Sequence, residues 1–496
     1  MAKPIMIQGT ASSAGKSLIC AGLCRVFAQD GYSVAPFKSQ NMALNSFITN
    51  EGLEMGRAQV MQAEAAKIEP SVLMNPVLLK PTSDKGSQVI VSGEVVGTLT
   101  AGNYYDYKSR LRPIITDAYE TLASQHDIIV IEGAGSPAEI NLNNDDFVNM
   151  GMAKIADAPV LLVADIDRGG VFASVYGTVK LLEPDEQARF KGVVINKFRG
   201  DVDILRPGLV KLEELSGVPV LGVVPYLRLD LDDEDSVTDR FDRQATGKAL
   251  DIAVIRLPRI SNFTDFNALS RYEPVGVRFV DRAEALGNPD LIILPGTKNT
   301  MGDLQWLRDG GLEAAIQIRA KAGTPVIGIC GGYQMLGETL SDPDGVEEGG
   351  HMAGMALLPV NTVFETQKVR TRVTAGANTL PGVFHALSGA AISGYEIHMG
   401  RTVLGAGAVP FSSLSDGQPD GAVCGNVLGS YLHGLFDGTL GAALVTMLLR
   451  KKGLPEDFEA VSDFDVYKDR QYDALAEALR SSLDFSRIYE IMGMSR

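Results

Sequence analysis

Gly9-Thr10-Ala11-Ser12-Ser13-Ala14-Gly15-Lys16-Ser17 decides how this chain is to be read. The apolar run Ile5-Met6-Ile7 precedes it, and a helical pattern from Leu18 to Ala28 follows. Strand, glycine loop and helix in that order form the context of a phosphate-binding loop. Backbone N–H groups of the loop and of the helix N-terminus would cradle phosphates, Lys16 would balance their charge, and the Ser17 hydroxyl would ligate Mg²⁺. Nucleotide contacts are therefore expected from Gly9, Thr10, Gly15, Lys16 and Ser17. Five residues separate the two glycines here, where the strict pattern has four.

Outward from the loop, short apolar runs alternate with longer amphipathic segments from Pro4 to about Leu231, as in a parallel sheet with helices on both faces. The expected strands are Ile5–Gln8, Val34–Phe37, Ile128–Glu132, Val160–Asp165, Val193–Asn196 and Val220–Val224. Ligands of such sheets sit at the carboxyl ends of the strands. The second run ends in Phe37-Lys38-Ser39-Gln40-Asn41-Met42, giving Lys38 as an ATP contact and Gln40 and Asn41 as a lip for phosphate or substrate. Glu132 ends the third run, where it would hold Mg²⁺ with Ser17, directly or through water, or else serve as a capping or solvated carboxylate. Asp145 and Asp146 follow, before a helix, where a plain N-cap is one use for either. The fourth run ends in Asp165-Ile166-Asp167-Arg168-Gly169-Gly170, another anion-friendly turn, with Asp167 and Arg168 as substrate or phosphate contacts. Asn196 ends the fifth, where an amide can read the adenine edge.

The chain has 496 residues, more than one core usually serves, so at least two domains are expected. A net charge of −16 argues against nucleic acid or an anionic membrane surface as partner. No unbroken apolar run is long enough for a bilayer and the first strand begins at once, which predicts a cytoplasmic protein. Cys20, Cys24, Cys330 and Cys424 are too scattered for a zinc site. The charged stretches Asp230–Asp235 and Asp239–Arg243 suggest a linker. The expected division is a synthetase domain over 1–235, an acidic linker over 236–250, a second α/β domain over 251–450 and a helical tail over 451–496 that packs on the surface.

In that second domain, runs at Asp251–Ile255, Leu291–Leu294 and Val326–Ile329 are strands, with one amphipathic helix over Met301–Lys321. The turn Gly328-Ile329-Cys330-Gly331-Gly332 sets a nucleophile among glycines between strand and helix, an elbow that exposes the side chain on a strained backbone. A helix N-terminus favours the thiolate there. Gly331 and Gly296, the latter in Leu294-Pro295-Gly296-Thr297, would supply the oxyanion donors. Of the five histidines, His433 in Tyr431-Leu432-His433-Gly434 ends an apolar run far downstream, as the base for such a cysteine should. His398 reads equally well as functional or structural.

The loop spacing Gly-Thr-x5-Gly-Lys-Ser is similar to that of the dethiobiotin-synthetase group of ATP-dependent, carboxylate-activating enzymes. Over nearly its whole length the chain resembles the cobyric acid synthase family, the glutamine-dependent amidotransferases of cobalamin synthesis. The strings that carry this are Gly9–Ser17, Pro36–Met42, Glu132–Asn141, Asp165–Gly170, Pro258–Asp265, Gly328–Gln334, Gly394–Gly400 and Tyr431–Gly434. The resemblance implies a P-loop synthetase domain and a class I glutaminase domain. It implies amidation of adenosylcobyrinic acid a,c-diamide at carboxylates b, d, e and g, with one glutamine and one ATP for each. Cys330 is then the glutaminase nucleophile and His433 its base, and Asp146, matching an acid of the family's synthetase site, is a catalytic residue that helps to bind the substrate or orient ammonia. The implied small molecules are a corrinoid, glutamine and ATP with Mg²⁺. Most class I glutaminases carry Glu two residues after the histidine; Leu435 stands here, so the third triad member is absent or comes from elsewhere. An amidotransferase for another carboxylate, or a partition-type ATPase with a dead glutaminase fold, are the competing assignments. The sequence leaves the oligomeric state open.

Overall fold

A computed structural model describes residues 2–82, 86–142, 146–231, 241, 247–458 and 464–494. The chain forms two compact units, one of Met1–Met42, Glu54–Glu234 and Asp465–Arg496, the other of Ala43–Leu53 and Asp235–Phe464. Neither unit is continuous in sequence. Most of the expected acidic linker lies in 232–240 and 242–246, outside the described residues. Phe241 between them is buried in the second core, edge-on to Phe263 and Phe279.

The first unit is built on six parallel strands: β1 (Lys3–Gly9), β2 (Val34–Phe37), β3 (Ile128–Glu132), β4 (Val160–Asp165), β5 (Phe190–Phe198) and β6 (Val220–Pro225). Their spatial order is β6-β5-β4-β1-β3-β2. The run Ile128-Ile129-Val130-Ile131 is wholly buried, as β-branched strands covered on both faces must be. The chain lays β2 and β3 on one side of β1 and then crosses to β4 on the other, so the sheet's switch point falls at the end of β1. There the loop from Gly9 leads into α1 (Lys16–Gln29). A smaller sheet of Gln40–Met42, Val77–Pro81, Gly86–Val91 and Glu94–Thr100 completes the unit with α2 (Arg57–Ala65).

The second unit has a parallel sheet of β7 (Leu250–Ile255), β8 (Val275–Val280), β9 (Leu291–Leu294) and β10 (Val326–Ile329), which continues into β15 (Val427–Ser430) in the order β8-β7-β9-β10-β15. An antiparallel strand, β14 (Ala422–Cys424), closes that edge. A second sheet runs β11 (Thr339–Asp342), β12 (Val360–Ala377), β13 (Ala391–Leu404) and β16 (Leu432–His433). The helix expected over Met301–Lys321 is instead two, α3 (Thr300–Asp309) and α4 (Leu312–Lys321). Gly311 at φ 72° breaks it, because that left-handed backbone is readily open only to glycine.

The tail does not lie on the surface as expected. Its helices Phe464–Ser482 and Phe485–Ile491 bury Tyr472, Leu475, Leu479 and Ile488 in the first unit's core. Gly22 of α1 permits the close approach: a β-carbon there would stand 2.3 Å from Leu479 Cδ1. Arg25, fully buried, is neutralised by Asp469 at 2.7 Å and Asp473 at 2.8 Å. Leu479→Ala should therefore lower the unfolding free energy of the first unit by about 2–5 kcal/mol, read from denaturant unfolding. A loss under about 0.5 kcal/mol, the scale of a surface substitution, would contradict the docking of the tail.

Candidate active site

Two clusters carry chemistry, one in each unit. In the first, the loop after β1 is fixed by Thr10 N–H donating to Val163 O at 3.0 Å. Gly15 sits at φ 99°, and a β-carbon there would stand 2.1 Å from Asn196 Nδ2. That amide donates to Ala14 O at 2.9 Å, so Asn196 braces the loop from β5. Lys16 Nζ donates to Ala11 O at 3.2 Å and to Gly135 O at 3.0 Å, curling the ammonium over the loop's mouth.

Glu132 is the hub of this cluster. Ser17 Oγ donates to its Oε1 at 2.8 Å and Lys38 Nζ reaches the same oxygen at 2.9 Å. Gln62 Nε2 donates to Oε2 at 2.5 Å and Gln59 Nε2 at 3.4 Å. Glu132 is buried, and a buried carboxylate is tolerated only with such partners. Ser17 and Glu132 present hard oxygen donors beside the loop, and Mg²⁺ takes a hydroxyl and one or two carboxylates together with phosphates and water. The pair fits that ion. Lys38, expected at the nucleotide, pairs with this carboxylate.

The other expected residues have partners of their own. Asn41 Nδ2 donates to Gln59 Oε1 at 3.2 Å, and Gln40 accepts from the Tyr104 hydroxyl. Asp167 takes Arg199 Nε at 2.9 Å, while Arg168 is largely exposed, 3.9 Å from Asp165. Asp146 caps a turn: its oxygens accept from the backbone N–H of Val148, Asn149 and Gly151 at 2.8, 3.1 and 2.7 Å. Asp145 lies outside the described residues.

In the second unit, Cys330 stands between β10 and α5 (Gly331–Met335) at φ 51° and ψ −109°. Its N–H donates to Ser430 O at 2.8 Å. The loop Leu294–Thr297 presses directly on the elbow: a β-carbon on Gly332 would stand 2.1 Å from Leu294 O, and one on Gly331 2.7 Å from Thr297 Cγ2. Gly331 N–H, in the first turn of α5, has no acceptor within the helix and is available to an oxyanion. Gly296 lies beside the base, since a β-carbon there would be 3.2 Å from His433 Cε1.

His433 arrives on β16, paired with Tyr395 of β13, and bonds the Cys330 side chain. Its Nδ1 meets Asp265 Oδ2 at 2.7 Å, and Gly434 N–H donates to Asp265 Oδ1 at 3.2 Å. Burial alone would push this imidazole down, but the charge and hydrogen bond of Asp265, followed by the bond to Cys330, lift it to about 10. Cys330, His433 and Asp265 thus form a thiol, imidazole and carboxylate series of the kind that runs nucleophilic acyl transfer. Asp265, not a residue near Leu435, orients the base; Leu435 is packed in the core. His398 is held by Gly400 O at 2.8 Å and stacks on Tyr431.

Two family models match the chain: a CobQ/CobB/MinD/ParA nucleotide binding domain over residues 5–235 and a CobB/CobQ-like glutamine amidotransferase domain over residues 251–440. A cobyric acid synthase of Ruminiclostridium cellulolyticum is 58% identical, with 99% of this chain and 97% of that one covered. The chain belongs to the cobyric acid synthase family. Cobyric acid synthases of Photorhabdus laumondii and Streptococcus sanguinis are 56% and 53% identical, with at least 99% of each chain covered. Members of the cobyric acid synthase family are ATP-dependent glutamine amidotransferases, and this chain carries both the nucleotide-binding and the amidotransferase domain. Among the described residues, no helix is long and apolar enough to cross a membrane.

The residues missed in this cobyric acid synthase family member are Asp265, Gln59 and Gln62. Asp265 closes the string Pro258–Asp265, but no spacing rule links it to a histidine 168 positions on. Gln59 and Gln62, three apart on α2, share a helix face and so reach one carboxylate.

Asp265→Asn should reduce glutamine hydrolysis by roughly 10²–10⁴-fold in kcat, since the base loses its orienting charge. The folded pKa of His433 lies above its ordinary 6.5. Its stabilising contribution is therefore whole below pH 6.5 and lost as the pH climbs toward 10. The melting-temperature gap between the native protein and Asp265→Asn should narrow across that window. A gap that widens there would contradict the pairing.

Proposed function

We propose that this chain amidates adenosylcobyrinic acid a,c-diamide at carboxylates b, d, e and g, giving adenosylcobyric acid at the expense of one glutamine and one ATP per amide. The observation that carries the reading is a Cys330–His433–Asp265 series and a phosphate loop with Ser17, Lys38 and Glu132 on one chain of this family. A carboxylate resists direct attack by ammonia because its charge and resonance repel the nucleophile. Transfer of the ATP γ-phosphoryl group to a carboxylate oxygen makes an acyl phosphate with a good leaving group. Gly9, Thr10 and Gly15 seat the phosphates, and Lys16 stabilises the charge that develops on the phosphoryl oxygens. Ser17 and Glu132 would hold Mg²⁺, which when bound would supply further charge stabilisation. Gln40 and Asn41, which follow β2, and Asp167 and Arg168, which follow β4, serve substrate or phosphate, while Asp146 shapes the turn.

In the glutaminase unit, Cys330 Sγ attacks the glutamine amide carbon, whose oxygen turns toward Gly331 and Gly296. His433 takes the thiol proton of Cys330 and gives it to the departing ammonia. It then takes one from the water that hydrolyses the thioester to glutamate. Ammonia displaces phosphate from the acyl phosphate and leaves the amide. The protein keeps the amine as a free base, which in water near neutral pH would be mostly protonated.

Incubation with the a,c-diamide, ATP, Mg²⁺ and glutamine should give products whose masses fall stepwise, each step exchanging a hydroxyl for an amino group, up to four times. Recovery of unchanged a,c-diamide would overturn the proposal. Cys330→Ala should abolish use of glutamine and retain activity with ammonium salts, whereas Lys16→Ala should lower both by roughly 10²-fold or more. Equal loss with both nitrogen donors in Cys330→Ala would contradict the division of labour.

A further inference from the structure

Asp303 is fully buried in the glutaminase unit, and the chemistry above makes no use of it. It lies in the first turn of α3, where the helix N-terminus favours an acid. Its Oδ2 accepts from the Thr297 hydroxyl at 2.5 Å and from Arg259 N–H at 3.1 Å, and its Oδ1 accepts from Arg259 Nη1 at 3.2 Å. Burial pushes this carboxyl up, while the Thr297 hydroxyl and the Arg259 donors pull it the other way. A buried carboxylate is tolerated only where donors fill its lone pairs. Here all three donors come from two short segments, Arg259–Ser261 and Gly296–Lys298.

Those segments run antiparallel, with Ile260 opposite Thr297. Ser261 N–H donates to Gly296 O at 2.9 Å, and Lys298 N–H donates to Arg259 O at 3.1 Å. Along an extended segment the backbone polar groups of successive residues point to alternate sides. Gly296 O and Lys298 N–H are turned toward the partner segment, so Thr297 N–H between them is turned away from it. That N–H has no acceptor among the described residues. It lies against the elbow: a β-carbon on Gly331 would stand 3.1 Å from Thr297 N. Thr297 N–H and Gly331 N–H are thus neighbours at the carboxyl end of β10, beside the nucleophile, and a pair of unengaged donors next to a thiol is what a tetrahedral oxyanion requires.

We infer that Asp303 is a positioning residue for glutamine hydrolysis: it holds Thr297 by the side-chain hydroxyl, so that Thr297 N–H is the oxyanion donor on the Gly296 side of the thiol. As Cys330 Sγ bonds the amide carbon, the carbonyl π pair moves to oxygen and is held there by the two N–H groups. Its return breaks the C–N bond, and ammonia leaves with the thiol proton carried by His433. The carboxylate suits this task because it accepts all three donors at once. An amide in its place has one acceptor oxygen, so one of the three would face an amino group. His433 is oriented separately, by Asp265 at 2.7 Å, so loss of Asp303 acts on the oxyanion and leaves the thiolate. This rests on the amidotransferase reading given above.

The test measures glutamine hydrolysis, and alkylation of Cys330 by iodoacetamide located by peptide mass mapping, in the full chain as native protein, Asp303→Asn, Thr297→Val and Thr297→Ser. Alkylation needs the thiolate and no oxyanion donor, so the two rates separate this role from a general collapse of the site. Asp303→Asn and Thr297→Val should each lower kcat by roughly 10²-fold, the scale of a misplaced oxyanion donor. KM for glutamine and the alkylation rate should change little. The double variant should cost little more than either single one, because both break the same contact. Thr297→Ser keeps the hydroxyl and should recover most of the loss. The Thr297 pair decides the matter even where Asp303→Asn does not fold. A Thr297→Val variant with native kcat, a Thr297→Ser variant as slow as Thr297→Val, or alkylation that falls in step with hydrolysis would each overturn the role of Asp303. A native protein that hydrolyses no glutamine would instead sink the amidotransferase reading.

Discussion

Cys330 is a non-glycine residue held at φ 51° and ψ −109°, a conformation that costs about 1–3 kcal/mol and persists only where its surroundings over-determine it. Those surroundings are glycines. β-Carbons on Gly328, Gly332 and Gly429 would stand 2.6 Å from Leu336, 2.1 Å from Leu294 O and 1.9 Å from Tyr333. Each absent side chain lets backbone or core pack against the elbow, so the thiol sits at the carboxyl end of β10, buried rather than exposed as the elbow predicts. The same neighbour then brings the base: Ser430 of β15 accepts from Cys330 N–H, and the chain reaches His433 three residues later. Asp420 pins that short path through Ser430 Oγ at 2.6 Å and Tyr431 N–H at 3.0 Å, at a site where burial pushes its carboxyl up to about 6.

The nucleotide-binding unit solves a different problem with the same geometry. Its loop must keep donors and a cation open to phosphate while the carboxylate beside it is out of water. Glu132 meets that demand by gathering Ser17, Lys38, Gln59 and Gln62 on its two oxygens. An ammonium alone would satisfy the charge but not the remaining lone pairs, and an unsatisfied lone pair in a buried site is itself costly. Two amides from one face of α2 complete the set. The arrangement thus holds the oxygens of Ser17 and Glu132 together at the start of α1.

Both units borrow from distant sequence. Arg25 in the first helix of the chain finds its counter-charges at Asp469 and Asp473, and Leu479 fills the space above Gly22. Residues 43–53 do the reverse, leaving one unit to complete the other. Such exchanges leave neither unit as a simple interval of the sequence.

Local chemistry made much of this protein legible. A glycine-lysine-serine loop after a buried strand, a cysteine among glycines before a helix and apolar runs ending in polar residues each state their conformation within a few positions, because backbone sterics and burial act locally. Sequence therefore determined the two α/β sheets, the phosphate loop, Cys330 and His433. Gly310-Gly311 within the helix expected over Met301–Lys321 is an equally local signal, and there the φ of Gly311 breaks the helix. What only the tertiary structure decided are partnerships between residues far apart: Asp265 with His433, Gln59 and Gln62 with Glu132, the tail with α1, and Ser46 with Tyr395. A carboxylate carries no mark of the imidazole it will face. That pairing is set by how separate strands and turns pack, and packing is a property of the whole fold.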